Sequence, residues 1–503
     1  MAKRTAIIDI GSNSARLVIF EKTSRYGFHL ICEQKSKVRI GEGAYSKKGY
    51  LQPIGITRAF LALKSFLHTI EKYQAHKTLC VATSALRDAP NGEEFTKWIY
   101  KELGLSIKII DGSQEAIFGA IAAYNLLPIT DGITVDIGGG SSDMTLIINS
   151  KIIESHSLDI GTVRIKELFF DKYDTKEAHR KSILFIHSQL RLLPTHFKHA
   201  LAIGIGGTAR TLSKAIMKRS SHPLDKLHAF TYDVKSQEDY LKSIPLSSTK
   251  NLKHLKIKKN RHDTIREGTI IFNEIISHIK AEKIISSSVG VREGVFLKQL
   301  LFNEKWIFPK NINPSILSIL DRFKPLVTID KKRKMKLKIA KSLYSILQTQ
   351  IRDDFKYMNE IQYALNLSNI GKTLNIYKAH QHAFYIAIQE LNYGFTHKEI
   401  VLISLLLRMH GKELLHKPLY RHYKSLLPKK QSVLWLSFIY TLTVFLHEAS
   451  NEANIHFTFK NLTLTIHSNK PLYLAREKIQ SLEKPIPFKI IIVDEHKHPK
   501  IKF

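Results

Sequence analysis

The chain has 503 residues, more than one hydrophobic core serves, so about two to four domains are expected. Apolar content of 44% and charged content of 24% are those of a soluble globular protein, and two cysteines, Cys32 and Cys80, exclude a disulfide framework and fit a reducing, cytoplasmic setting. A formal net charge of +33 attracts polyanions of any kind, although each Lys-rich run taken singly, 250–261 and 331–341, reads as a solvated face.

The first residues reach Asp9 after three apolar positions, too short a run for a signal peptide. Residues 5–10 read as a strand, 11–14 as a turn and 15–20 as a returning strand. Residues 56–75 carry Phe60, Leu63, Leu67 and Ile70 at helical spacing. A buried strand at 78–83 leads to the polar A-T-S-A-L-R-D-A and a helix near 93–103. A strand at 107–110 ends in D-G-S-Q-E-A, where Ser113 is the expected N-cap of a helix running to about Tyr124. Glu115 then falls in a first helical turn at the carboxyl end of a strand, where α/β sheets place their chemistry. Its bland reading is a solvated glutamate at a helix dipole.

Residues 133–143, I-T-V-D-I-G-G-G-S-S-D, are an apolar strand running into a glycine-rich turn. Bare amides of such a turn wrap phosphate oxygens, and an aspartate beside it can hold a divalent cation through water. The segment matches A-I-I-D-I-G-S-N-S in frame: Asp9 pairs with Asp136, 127 residues later, and Gly11 with Gly138. Two copies a domain apart indicate a duplicated architecture.

A further strand at 152–157 and helices to about 195 follow. The strand 200–205 then enters a third glycine-rich junction, with Gly206, Gly207 and Thr208 at the turn. Residues 261–279 read as helical, 283–288 as a strand leading to V-G-V-R-E-G and a helix through Leu301. Beyond about Asn311 glycine becomes rare and Leu/Ile-rich helices continue to about 453, before alternating segments that predict closing strands. The longest apolar run, 433–446, is 14 residues with Ser and Thr inside, which reads as a buried helix and is too short to span a bilayer. The expected domains are 1–125, 126–305 and 306–503.

The two Asp-Gly hairpins and the third turn would face one another across a cleft. Asp136 and Asp143, with Asp9, would hold Mg²⁺; Glu115 could orient and deprotonate a water; Arg87 and Arg292 are candidate phosphate clamps, with surface ion pairs as their bland reading. Phosphoryl transfer asks mainly for positioning and charge neutralisation of this kind.

The segments Asp9-Ile-Gly-Ser-Asn-Ser, Ala82-Thr-Ser-Ala-Leu-Arg87, Gly112-Ser-Gln-Glu115-Ala, Asp136-Ile-Gly-Gly-Gly-Ser141, Gly206-Gly-Thr208 and Arg292-Glu-Gly294 resemble, in order and spacing, the exopolyphosphatase/guanosine pentaphosphate phosphatase (Ppx/GppA) family over about 4–305. The resemblance implies an α/β fold of the actin/Hsp70/sugar-kinase superfamily: two duplicated actin-like (ribonuclease H-like) domains, then a mainly helical, degenerate HD-like domain. It implies Mg²⁺-dependent release of terminal phosphate from polyphosphate or pppGpp. The family's catalytic glutamate falls on Glu115, its metal-associated aspartate on Asp136, its clamp arginine on Arg87, and its phosphate loops on Ser12, Asn13, Ser14 and on Gly138, Gly139, Gly140 and Ser141. Two departures stand out: Asp143 where the family usually has glutamate, and Ile117 where an arginine commonly follows the Glu-Ala pair.

In the His-Asp position of the HD-like domain stand Ser368 and Asn369, poor ligands for hard or borderline metals, so no second metal centre is expected. His380, His382 and His410 read as satisfied or surface residues. The helical domain reads as a basic extension of the substrate channel and a homodimer surface; phosphate storage and stringent signalling follow only from the resemblance. The expected partners are polyphosphate, guanosine pentaphosphate or both, with no membrane. Competing readings are an ATP-dependent kinase of the same superfamily, for which no nucleotide-pocket signature is found, and a basic nucleic-acid-binding protein, for which no recognition motif is found.

Overall fold

The N-terminal repeat is a hairpin: β1 (Lys3–Ile10) pairs antiparallel with β2 (Ala15–Lys22), and β2 with β3 (Phe28–Ser36). After α1 (Pro53–Lys72), β4 (Lys77–Ala82) lies parallel to β1. The short α2 (Ser84–Arg87) and α3 (Gly92–Leu103) precede β5 (Ile107–Ile109), which completes a sheet of order β3-β2-β1-β4-β5. This architecture belongs to a computed structural model, which describes residues 3–44, 48–324, 330–351, 356–409, 413–449 and 454–494.

After α4 (Gly112–Leu126) the same topology recurs. The antiparallel run β6 (Gly132–Ile137), β7 (Ser142–Ile148) and β8 (Lys151–Leu158) is followed by α5 (Thr162–Ile165), a π-helical turn and α6 (Thr175–Leu190). Then come β9 (Leu201–Ile205), α7 (Gly206–Arg219), β10 (Thr231–Asp233), α8 (Val234–Leu246), α9 (Ile265–His278), β11 (Lys283–Ser286) and α10 (Val291–Leu300). The second sheet runs β8-β7-β6-β9-β11-β10, so its first five strands repeat the first sheet's order and directions. This duplication is the one expected from the two hairpins, and it agrees with the actin-like α/β fold that the resemblance implies.

The two lobes interlock through their last helices. α4 leaves β5 of the first lobe but buries Ala120, Ala123 and Leu127 against Ile147, Ile203, Ile205 and Ile285 of the second. α10 leaves the second lobe and stacks Phe296 on Phe20 of the first sheet, ring centroids 4.5 Å apart. Where α4 and α10 cross, a Cβ on Gly294 would strike the Phe118 carbonyl. α4 is apolar nearly all round because it has no solvent face along most of its length.

Several expected boundaries shift. The N-cap of α4 is Asp111, whose Oδ1 accepts from Gln114 N and Ser113 Oγ (both 2.7 Å), so Ser113 supports the cap and does not form it. Arg261 belongs to a 3₁₀ turn and the helix starts at Ile265, since Thr264 lies off helical geometry at φ −147°. α1 begins three residues before position 56 because Pro53 fits the first helical turn.

The chain divides into two compact units, Met1–Leu317 and Ser318–Phe503, with α11 (Pro314–Arg322) at the division. In the second unit, α12 (Asp330–Ile351), α13 (Met358–Leu367), α14 (Ala379–Glu390), α15 (His397–Arg408), α16 (Lys417–His422) and α17 (Lys430–Ala449) are joined by α18 (Tyr473–Gln480) and three strands. These strands, β12 (Ile455–Lys460), β13 (Thr463–Ser468) and β14 (Lys489–Asp494), form the closing sheet that the alternation predicts. The 433–446 run is the core of α17, burying Trp435, Phe438 and Tyr440. Ser368 accepts a hydrogen bond from the buried Lys336 Nζ at 2.8 Å. His380 and His382 are half-buried, and His410 and the side chains of Lys331, Lys332 and Arg333 lie outside the described residues. Among the described residues no helix is long and apolar enough to cross a membrane.

Candidate active site

A cleft opens between the two sheets of the first unit. The first lobe contributes Asp9, Ser12, Asn13, Ser14, Arg16, Lys35, Thr83 and Ser84. Asp136, Gly138, Gly139, Thr162, Gly206, Gly207, Arg210, Arg261 and Arg292 come from the second, and Glu115 from the start of α4.

Strand register explains much of this lining. Asp9 is directly opposite Arg16 on β2, which is opposite Lys35 on β3. Directly opposed residues share one face of a sheet, so the row presents acid, cation, cation to the cleft. The corresponding row of the second lobe is Asp136, Asp143 and Ser157. The repeat has therefore kept its first aspartate and exchanged the two cations for an acid and a hydroxyl.

The glycine loop is fixed from behind by the 162–164 segment. Thr162 N donates to Gly138 O (3.0 Å), Val163 N and Arg164 N to Gly139 O (2.8 and 3.1 Å), and Arg164 Nε to Gly140 O (2.8 Å). In a trans peptide the carbonyl and the following N–H point in opposite directions. The amides of Gly139, Gly140 and Ser141 therefore turn away from that segment, the arrangement of an anion-binding nest, with Gly138 and Gly139 at its cleft side. A Cβ on Gly139 would come within 2.7 Å of Ser12 Cβ, so the 11–14 and 138–141 loops touch only because this residue is glycine. Ser12 is in turn held by Ser84 across 3.0 Å.

The third junction adds a helix N-terminus. α7 starts at Gly206 with no side-chain cap on its first amides, which suits an anion. Gly206 has φ +76°, and a Cβ there would overlap Asp136 Oδ1. Gly206→Ala is expected to destabilise the protein by about 1–3 kcal/mol through backbone strain and to lower turnover by about 100-fold by displacing Asp136. Denaturant midpoints and initial rates check both.

The electrostatics are those of crowded, partly desolvated charge. Burial raises Asp136 to about 6, and it also raises Asp9 and Asp143. Glu115 is raised well above the carboxylate range by burial and then by the Asp143 charge, with Arg87 opposing. Opposite them, burial and mutual repulsion lower Arg210 to about 10 and Lys35 to about 8. Five cations in one cleft repel one another, and an anionic ligand would offset that repulsion.

Of the residues singled out in the sequence, Asp9, Ser12, Asn13, Ser14, Glu115, Asp136, Gly138, Gly139, Gly206, Gly207 and Arg292 line the cleft. Gly140, Ser141, Arg87 and Asp143 stand behind it. Asp143 is 3% exposed and accepts from Ser141 Oγ (3.3 Å) and Ser157 Oγ. Thr208 is fully buried with Oγ1 unpartnered, away from the lining. Arg292 is no surface ion pair: it is 5% exposed and donates to Glu33 Oε1 at 2.9 Å. Glu115 is no solvated dipole glutamate either, with its side chain 13% exposed and Arg87 Nη1 3.3 Å from Oε2. Arg16, Lys35, Arg210 and Arg261 were not singled out; strand parity from Asp9 would have found Arg16, and Arg210 ends the G-G-T-A-R junction.

Residues 18–303 match the Ppx/GppA phosphatase family, and residues 320–481 match Ppx/GppA phosphatase, domain III. The bifunctional 3-dehydroquinate synthase/phosphatase of Fusobacterium nucleatum is 33% identical over 311 residues, which is 58% of this chain and 46% of that protein, so the match spans under half of that relative. Exopolyphosphatase 2 of Mycobacterium tuberculosis is 29% identical over 240 residues, 45% of this chain and 74% of that protein. The solved structure of the Aquifex aeolicus Ppx/GppA family member aligns with TM-score 0.51 at 28% identity, covering 60% of this chain and 99% of that one. An exopolyphosphatase structure from Cytophaga hutchinsonii aligns with TM-score 0.54 at 22% identity, covering 59% and 98%, a likeness of fold alone. With the first unit and most of the second matched, the chain belongs to the Ppx/GppA phosphatase family.

Proposed function

We propose that the cleft releases the terminal phosphate of inorganic polyphosphate, guanosine pentaphosphate, or both. The observation that carries this reading is the pairing of anion donors with buried carboxylates in one cleft. Arg16, Lys35, Arg210, Arg261 and Arg292 face Asp9, Glu115 and Asp136 there, beside two glycine loops and an uncapped helix N-terminus. Sugars or peptides would not need this density of cations, whereas a phosphate chain would. The exopolyphosphatase and phosphatase relatives point the same way.

In this reading the amides of the 138–141 loop and the α7 N-terminus hold the terminal phosphoryl group. Glu115 takes the proton of a water whose oxygen bonds to phosphorus. The P–O anhydride bond breaks, and its electron pair stays on the oxygen of the shortened chain. Arg16 neutralises the charge that gathers there, and Lys35 holds the phosphate chain equally in the ground and transition states. Burial keeps Glu115 basic enough for that proton at neutral pH, so activity is expected to fall as pH drops through its raised pKa. The carboxylates of Asp9 and Asp136 accept no hydrogen bond from the described residues and are hard oxygen donors, a set that fits Mg²⁺ with part of its water shell. When bound, Mg²⁺ would neutralise phosphate charge in the transition state.

Lys35→Met is expected to raise KM about 10-fold with kcat little changed, and to flatten the dependence of KM on salt, since a charge contact is lost. Rates on long polyphosphate at several ionic strengths check it. The reading itself is tested by orthophosphate release from polyphosphate and from pppGpp with Mg²⁺. Release from either supports it. Salt-sensitive nucleic-acid binding without release, or transfer to a hydroxyl acceptor only, would favour one of the other readings.

A further inference from the structure

Behind the cleft runs a continuous polar chain from the glycine loop of one lobe to the glutamate at the start of α4. Arg164 donates from Nε to Gly140 O (2.8 Å) and from Nη2 to Asp88 Oδ2 (2.8 Å). Asp88 caps α2 in the other lobe, and its Oδ1 lies 3.5 Å from Arg87 Nε. Arg87 then reaches Ile110 O (3.2 Å) and Glu115 Oε2 (3.3 Å) through Nη1.

Neither Asp88 nor Arg164 lines the cleft, so neither touches a substrate held there. Both are largely shielded, with side chains 31% and 17% exposed, and their contact crosses from one lobe to the other. A surface ion pair bridging two lobes is ordinarily worth little. This one differs because each partner is fastened at its far end to a functional group: Arg164 to the carbonyl that orients the Ser141 amide, Asp88 to the arginine that orients the glutamate. The planar guanidinium of Arg164 bonds Gly140 O and Asp88 at once from separate nitrogens, which a lysine could not.

We propose that Asp88 and Arg164 are positioning residues that fix the distance between the water-handling Glu115 and the phosphate-holding Gly138–Ser141 loop. The inference rests on the functional reading above. Hydrolysis needs the base and the phosphoryl site in register although they hang from different lobes. A displacement of about 1 Å between reacting groups can cost about 100-fold in rate. The relay supplies that register without adding a group to the cleft itself.

The test is steady-state hydrolysis of long polyphosphate and of pppGpp with Mg²⁺ by Asp88→Asn, Arg164→Met, Arg164→Lys, the Asp88→Asn/Arg164→Met double variant and an Asp159→Asn control. Asp159 also contacts Arg164, at 3.0 Å, but is 65% exposed and leads nowhere. Each single relay variant is expected to lower kcat by about 10- to 100-fold with KM within about twofold. The double variant should be no worse than the weaker single, because both break one chain. Arg164→Lys should recover only part of the rate, and Asp159→Asn should match wild type. Thermal midpoints taken alongside separate register from fold: a shared structural role would lower midpoint and kcat together and move KM. Additive losses, a parallel loss in Asp159→Asn, or unchanged kcat in Asp88→Asn overturn the relay. If wild type turns over either substrate and the relay variants do too, only the relay falls; if wild type turns over neither, the functional reading falls and the relay with it.

Discussion

Glu115→Gln is expected to lower kcat by about 100- to 10,000-fold while leaving KM close to wild type. The amide has the shape of the carboxylate and keeps an oxygen for Arg87, so the start of α4 and the cleft should stay as they are. What is lost is the capacity to accept a proton. In the proposed reading phosphate binding rests on the glycine loops, the α7 N-terminus and the cations, none of which this change touches, hence the split between kcat and KM. A wild-type pH profile should show an acid limb above the ordinary carboxylate range, because burial and then Asp143 hold the Glu115 proton on, with Arg87 opposing. Initial rates across pH measure both. Full activity in Glu115→Gln would exclude it as the group that handles water.

Asp136→Asn is expected to abolish turnover, by at least about 100-fold, and yet to stabilise the metal-free protein. Burial raises the Asp136 carboxyl from 3.8 to about 6, so between those values the folded state holds a proton the unfolded state has released. Stability therefore falls as pH rises through that window, by about 2–3 kcal/mol, and stays lower above it. The variant escapes this loss. Its melting temperature should exceed wild type by several degrees at pH 7.5, and the difference should vanish towards pH 4. Mg²⁺ should reverse the order, since a ligand of the folded state stabilises only the protein that binds it. An equal Mg²⁺ shift in both proteins would remove Asp136 from the metal site.

Much of this was legible in the chain. An apolar strand ending in Asp-x-Gly is a local pattern, and its recurrence 127 residues on announced a duplicated fold before any long-range contact was known. Glu115 was legible because a strand end, a turn and a helix start lie within a few residues. The cation side of the cleft was not, because it is built by sheet register. Arg16 and Lys35 belong to the site only because β1, β2 and β3 set them in one row with Asp9. Arg261 arrives from a 3₁₀ turn within a Lys-rich run that reads as solvated surface. The exchange of α4 and α10 between lobes is likewise a tertiary fact: the apolar sequence of α4 says that it is buried but not against which sheet, and α10, V-R-E-G-V-F-L-K-Q-L, does not say even that. The N-cap misreading has a simpler cause, two residues in competition for the same amides, where the aspartate two positions earlier had the better reach.

The central claim is that this cleft carries water to a terminal phosphoryl group. It is tested most directly by running polyphosphate and pppGpp hydrolysis in ¹⁸O-labelled water with Mg²⁺ and weighing the released orthophosphate. The account predicts one labelled oxygen in each phosphate released by the wild-type protein, and near-complete loss of that product in Glu115→Gln. No phosphate from either substrate, or phosphoryl transfer to a hydroxyl acceptor without label, would contradict it.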